Sequence, residues 1–132
     1  KASPNTTTTY TVIATDQDNC SAIDSVEVII KDQPTLTVTI EEDSVCVDGS
    51  TDIIAHVDGG SGNFNFTWSV SNDQTNWTVL TGVADSVYSP NTSVAGQRYY
   101  RVFVEDLTFD CNDATSNPIL FTTPTKRKNK CN

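Results

Sequence analysis

The stretch that most constrains the fold is residues 62–82, GNFNFTWSVSNDQTNWTVLTG. Phe64, Phe66, Trp68 and Val70 alternate with Asn65, Thr67 and Ser69. A period of two puts the large apolar groups on one face of a strand and the polar groups on the other. Residues 71–75 read as a polar turn, and Trp77, Val79 and Leu80 begin a second strand. A Trp in a buried row, followed by a turn and a short strand, is the pattern of the third strand of a β-sandwich.

The same period recurs along the chain. Residues 7–15 carry Tyr10, Val12 and Ala14 on one face, residues 22–31 carry Val26, Val28 and Ile30, and a polar turn at 16–19 joins them. A hairpin alone is marginal in water, so this one needs a partner sheet that residues 1–33 do not contain. Pro34 breaks the pattern and marks a linker. Further strands are expected at 36–40, 52–57, 64–70, 77–80, weakly at 86–88, at 98–105 and at 117–122. Within them Ile53, Ala55 and Val57 share one face, as do Tyr100, Val102 and Val104. Pro118 signals an edge or a bulge in the last strand. Residues 106–113 are expected as a loop. About seven strands in about 90 residues is the size of an immunoglobulin-like sandwich. No window shows helical spacing, and Met is absent while β-formers are abundant. The expected fold is all-β: a complete immunoglobulin-like β-sandwich at residues 34–124, preceded by a partial β domain at 1–33. Residues 125–132 are a basic tail or the start of a further repeat. The expected core is Phe66, Trp68, Tyr100 and Val102, with Tyr100 as a tyrosine corner whose hydroxyl bonds to backbone just upstream.

Part of the chain repeats itself. Pro4-Asn5-Thr6, Tyr10 and Cys20 can be laid over Pro90-Asn91-Thr92, Tyr100 and Cys111. Residues 1–33 then correspond to the last third of a domain whose complete form follows. Pro34 leads to Cys46 as Pro124 leads to Cys131, over a shorter gap. The chain opens in mid-pattern, KASPNTTTTYTV, as expected of a processed segment or a piece of a longer protein.

Net charge is -9, and Lys126, Arg127, Lys128 and Lys130 are four of the eight basic residues. The remaining body has four basic and 17 acidic side chains. It repels nucleic acid and anionic membranes, which argues against both as partners. No run of 18 apolar residues is present to form a transmembrane helix.

The four cysteines, Cys20, Cys46, Cys111 and Cys131, include no CxxC pair, and His56 is the single histidine. That argues against zinc and for disulfides in an oxidising compartment. Cys46 is expected to pair with Cys111, both in turns beside strand ends of the complete domain. Cys20 lacks a partner in its own repeat, and Cys131 of another subunit matches it. An inter-subunit Cys20–Cys131 bridge is the resulting expectation, and such a head-to-tail contact propagates into a filament.

No pair of catalytic groups stands out, so no enzyme is expected. His56 has no activated Ser or Cys near it in sequence and reads as an outward strand residue. No cofactor is expected. The weak Ca²⁺ candidates are Glu41, Glu42, Asp43, Asp48 and Asp52 around one turn and Asp106, Asp110 and Asp113 around another, neither with EF-hand spacing. Trp77, Tyr88, Tyr99 and Phe103 could stack on sugars, though in a two-sheet sandwich aromatics more often fill the core. Asn5, Asn19, Asn65, Asn76 and Asn91 each open an N-x-Ser/Thr sequon.

The run SPNTTTTYTVIATDQDNCSAIDSVEVII resembles the end of the repeats in large surface proteins of Bacteroidetes, including gliding-motility adhesins and other immunoglobulin-like or PKD-like repeat proteins. The run GGSGNFNFTWSVSNDQTNWTVLTGVADSVYSPNTSVAGQRYYRVFVEDLTFDCNDATSNP is similar to another repeat type of the same proteins, with its W…S.D…W pattern followed by YYRV. The resemblance covers nearly the whole chain to Thr123, while the tail KRKNKCN departs from it. It implies a secreted or cell-surface location and an Asp-Ser/Thr-apolar O-glycosylation motif, matched at Ser25, Ser44 and Ser86. The expected function is a non-enzymatic structural or adhesive module of a surface stalk, adhesin or filament. Its expected partners are copies of itself, neighbouring repeats or surface glycans. The alternative is a carbohydrate-binding accessory module of a secreted polysaccharide-degrading enzyme.

Overall fold

The computed structural model describes residues 1–109 and 113–125. Its regular elements are all strands. The chain separates into two units, residues 1–32 and residues 33 onward, each taken on its own below.

The first unit is a hairpin of β1 (Thr8–Thr15) and β2 (Ser21–Val28). Tyr10 lies opposite Val26, Val12 opposite Asp24 and Ala14 opposite Ala22. Asp16 makes the turn: its Oδ1 accepts the backbone N–H groups of Asp18 and Cys20, each at 2.9 Å. Asn19 takes the left-handed conformation at φ 62°, which its short polar side chain tolerates. Residue 31 was the expected end of β2, but the ladder stops at Val28. Beyond it, the Ile30 N–H donates to Thr7 Oγ1 at 3.0 Å, a side chain standing in for the strand backbone.

The second unit is a β-sandwich. It contains β3 (Thr35–Ile40), β4 (Ile53–Asp58), β5 (Phe64–Ser71), β6 (Thr78–Val79), β7 (Val87–Tyr88), β8 (Gly96–Asp106), β9 (Ala114–Thr115) and β10 (Ile119–Thr123). One sheet has the order β3-β4-β7, the other β10-β8-β5-β6, with β9 also on β8. After β3 the chain crosses to the second sheet, where Ser44 forms a parallel bridge with Thr122. The Thr122 N–H donates to the Asp43 carbonyl at 2.9 Å and the Val45 N–H to the Thr122 carbonyl at 3.2 Å.

Alternation decides what fills the space between the sheets. Ile53 and Ala55 from β4 meet Trp68 from β5, Tyr100, Val102 and Val104 from β8 and Phe121 from β10, all buried. Phe66 is half-buried against them. Ala55 and Val102 both point into the space between the sheets and are buried there. The Trp68 indole N–H is satisfied by the Asp85 carbonyl at 2.9 Å, as a buried Trp requires.

Two expectations need correction. Tyr100 is no tyrosine corner: among the described residues its hydroxyl has no backbone partner upstream, and its ring packs 5.4 Å from that of Tyr88 inside the core. Burial, then the nearby Tyr88 charge, pushes the Tyr100 phenol up to about 12. β8 ends at Asp106 and the next strand is the short β9, as the expected loop requires, but the last strand, β10, runs over Ile119–Thr123 rather than 117–122. Pro118 falls in the break between β9 and β10, on the edge of the sheet. Ser116 bridges that break, its N–H donating to the Val102 carbonyl at 2.9 Å and its Oγ accepting the Val102 N–H at 3.0 Å.

Candidate functional site

The hairpin presents its apolar row outward. Tyr10, Val12, Ala14, Ala22, Val26 and Val28 share one face, with Asp24 among them. Val12 is 63% and Val26 62% exposed. The opposite face pairs Ile13 with Ile23 among Thr and Ser residues, and both isoleucines are also exposed. Free edges and apolar side chains together make a surface that invites pairing.

The same construction appears inside the sandwich. Tyr100 lies opposite Ile119 and Val104 opposite Ala114, as Tyr10 lies opposite Val26 and Ala14 opposite Ala22. Asp106 stands six residues beyond Tyr100, as Asp16 stands six beyond Tyr10. Both aspartates accept backbone N–H groups of their own turn: Asp16 from Asp18 and Cys20, Asp106 from Thr108 at 3.0 Å and Phe109 at 3.1 Å. The hairpins differ by a longer loop after Asp106 and by the break at Ser116. What differs most is burial: Tyr100, Val102 and Val104 are covered, and Val12 and Val26 are not.

Asp106, a sequence candidate for Ca²⁺, is already engaged. Besides the two turn amides, its carboxylate accepts the Ser61 hydroxyl at 2.6 Å and the Ser61 N–H at 2.7 Å. Burial acts to raise its pKa, but the Ser61 side chain and the three backbone N–H groups outweigh it and bring the group to about 2. The carboxylate thus locks the β4–β5 turn to the end of β8. Asp113 is exposed, and Asp110 lies outside the described residues. Around the other turn, Glu41, Glu42, Asp43 and Asp48 are exposed, while Asp52 accepts the Ser89 hydroxyl. Among the described residues no three such groups converge on one point. A second carboxylate lock went unforeseen: Asp73 accepts the N–H groups of Asn76 and Thr75, the Asn76 amide and the Ser71 hydroxyl. Led by the Asn76 N–H, these bonds hold Asp73 well below the usual carboxylate range.

Of the four aromatics considered for sugar stacking, Tyr88 is misplaced, because it packs inside against Trp68 at 5.7 Å. Tyr99 and Phe103 alternate with the buried row of β8 and so lie on the outer face of its sheet. The Arg101 guanidinium stacks 4.2 Å over the Trp77 ring. It takes one of the two ring faces that a sugar would use.

Cys20 is exposed and free, and Cys46 is half-buried and engaged. Cys111 and Cys131, the expected partners, lie outside the described residues. Ser25 and Ser44 are exposed, and Ser86 is half-buried with its hydroxyl 3.3 Å from Asp85 Oδ1. His56 points outward and its Nε2 meets Thr39 Oγ1 at 3.1 Å.

A family model described as Domain of unknown function (DUF8696) matches residues 36–125. The chain belongs to this family. The DUF8696 match runs from β3 past the end of β10, so it coincides with the sandwich and leaves the β1–β2 hairpin outside. No curated protein matches the chain. No helix among the described residues is long and apolar enough to cross a membrane. In the DUF8696 sandwich itself the polar clusters, Asp73 and Asp106, are spent on holding turns.

Proposed function

We propose that the chain is a non-enzymatic, extracellular structural or adhesive repeat segment, working in a surface stalk, adhesin or filament and joining its neighbours head to tail. The observation that carries the reading is the likeness between the β1–β2 hairpin and the β8–β9–β10 hairpin, in register, in the Tyr-to-Asp spacing and in the turn-capping aspartate. A hairpin followed in sequence by a sandwich that ends in a like hairpin is what a serial array of like domains contains. The strand orders β3-β4-β7 and β10-β8-β5-β6 support placing the sandwich among immunoglobulin-like folds, where the third and sixth strands pair at the centre of one sheet. In this reading Cys46 bonds Cys111 within the domain, Cys20 of one subunit bonds Cys131 of the next, and the acidic exterior carries sugar at Ser25, Ser44 or Ser86.

Non-reducing electrophoresis of material from the producing cell surface tests the assembly. A ladder that collapses on reduction to a species near 14 kDa is expected. Monomer under both conditions would overturn the head-to-tail bridge. The carbohydrate-binding reading rests on Trp77, Tyr99 and Phe103 sharing the outer sheet face. Arg101 over Trp77 argues against it, since a flat sugar platform needs its ring faces open.

A further inference from the structure

We infer that the Tyr10/Val12/Val26/Val28 face of the hairpin is a docking surface for one kind of partner: a donor segment with the make-up of β3 to β7, whose β3-β4-β7 part lies over that face as the second sheet of a sandwich and whose β5-β6 part extends the hairpin beside β1. This deepens the proposed function and rests on the serial-repeat reading.

The second unit shows what covers such a face. In β8 and β10, Tyr100, Val102, Val104 and Phe121 occupy the places of Tyr10, Val12, Ala14 and Val28. They are buried at 0–2% exposure against Ile53 and Ala55 of β4, with Leu36 and Val38 of β3 packed on the cluster. The hairpin has the same pattern and the same aspartate cap, with smaller side chains, and its Val12 and Val26 are exposed among the described residues. A second hairpin placed face to face is a poor occupant, because Asp24 sits in the middle of the apolar row opposite Val12, and burying two unpaired carboxylates is unfavourable. Asp24, opposite Val12, matches the break at Ser116 opposite Val102, and there the sandwich leaves an open cleft between Leu36 and Val38 of β3 and residues 116–119, where a polar group reaches water.

The test is a fusion in which residues 34–95 are placed directly before Thr6 of the chain, so that Tyr10 follows the donor with the spacing that Tyr100 has to Ala95. The native sandwich downstream serves as the internal control. The expected result is that amide exchange of β1 and β2 slows by about a hundredfold or more relative to the unfused chain, the protection of a folded sheet. Val12→Asp in the fusion should abolish that protection and leave exchange in residues 33–125 unchanged. Two results overturn the inference: β1–β2 amides that exchange equally fast in both proteins, or an unfused chain whose hairpin is already protected in a dimer that Val12→Asp dissociates. Either leaves the disulfide ladder untouched, so this inference and the filament reading can fail separately.

Discussion

Asp106 shows how much one side chain settles here. Its four hydrogen bonds reach Ser61 in one turn and Thr108 and Phe109 in another. The group titrates near 2 rather than at 3.8. A carboxylate depressed in the folded state stabilises the fold above its unfolded pKa, and that stabilisation is lost as pH falls through the folded pKa. The melting temperature should therefore drop between pH 4 and pH 2, and Asp106→Asn should melt lower at pH 7 but with a shallower acid slope. Parallel melting profiles for the two proteins by circular dichroism would contradict this. Gly60, beside it, has φ +66°, and an added Cβ would lie 2.8 Å from Asp106 Oδ2 and 2.9 Å from Phe64 Cε1. Gly60→Ala should cost about 1–3 kcal/mol in denaturant unfolding, the usual cost of a strained left-handed residue. Trp68, fully buried with its N–H satisfied, should cost about 3–5 kcal/mol when replaced by Ala, enough to unfold a small domain. A Trp68→Ala protein melting within a degree or two of the parent would count against its place in the core.

At the scale of elements, the long strands were legible because alternation is visible wherever one face is buried. β5 and β8 follow the expected rows, and the inward sides of Ile53, Ala55, Tyr100 and Val102 come straight from that period. The short elements were not. β7 has two residues, too few for a period, so Tyr88 could not be assigned to the core. β9 is equally short and depends on Ser116, whose hydroxyl replaces a strand carbonyl for the Val102 N–H. Ser116→Ala leaves that buried N–H unpaired and should cost about 1–3 kcal/mol in urea unfolding; an unchanged midpoint would mean that the edge is held otherwise. The turn-locking role of Asp106 was hidden for another reason: Ser61 is 45 residues away in sequence, and an acidic residue near other acidic residues reads equally well as a cation ligand. The outward face of β8 was correctly separated from the inward one, but sequence could not show that Arg101 lies on Trp77.

At the scale of the whole molecule, the chain carries a sandwich and, before it in sequence, a hairpin of the same make with no second sheet among the described residues. The body's excess of 17 acidic over four basic side chains opposes indiscriminate association, so the apolar row of Tyr10, Val12, Val26 and Val28, exposed at Val12 and Val26, calls for a particular cover. Val26→Lys should reduce any aggregation of the purified chain at neutral pH without changing the unfolding of residues 33–125, read by light scattering beside Trp fluorescence; loss of the sandwich transition would contradict the independence of the two units. The central claim is tested most directly by residue-resolved hydrogen exchange on the monomeric chain. The amides of β5 and β8 around Trp68, Val102 and Val104 should exchange only through global unfolding, and those of β1 and β2 many times faster, through local opening. Protection of β1 and β2 equal to that of β5 and β8 in the monomer would show the hairpin already complete, and would contradict the account.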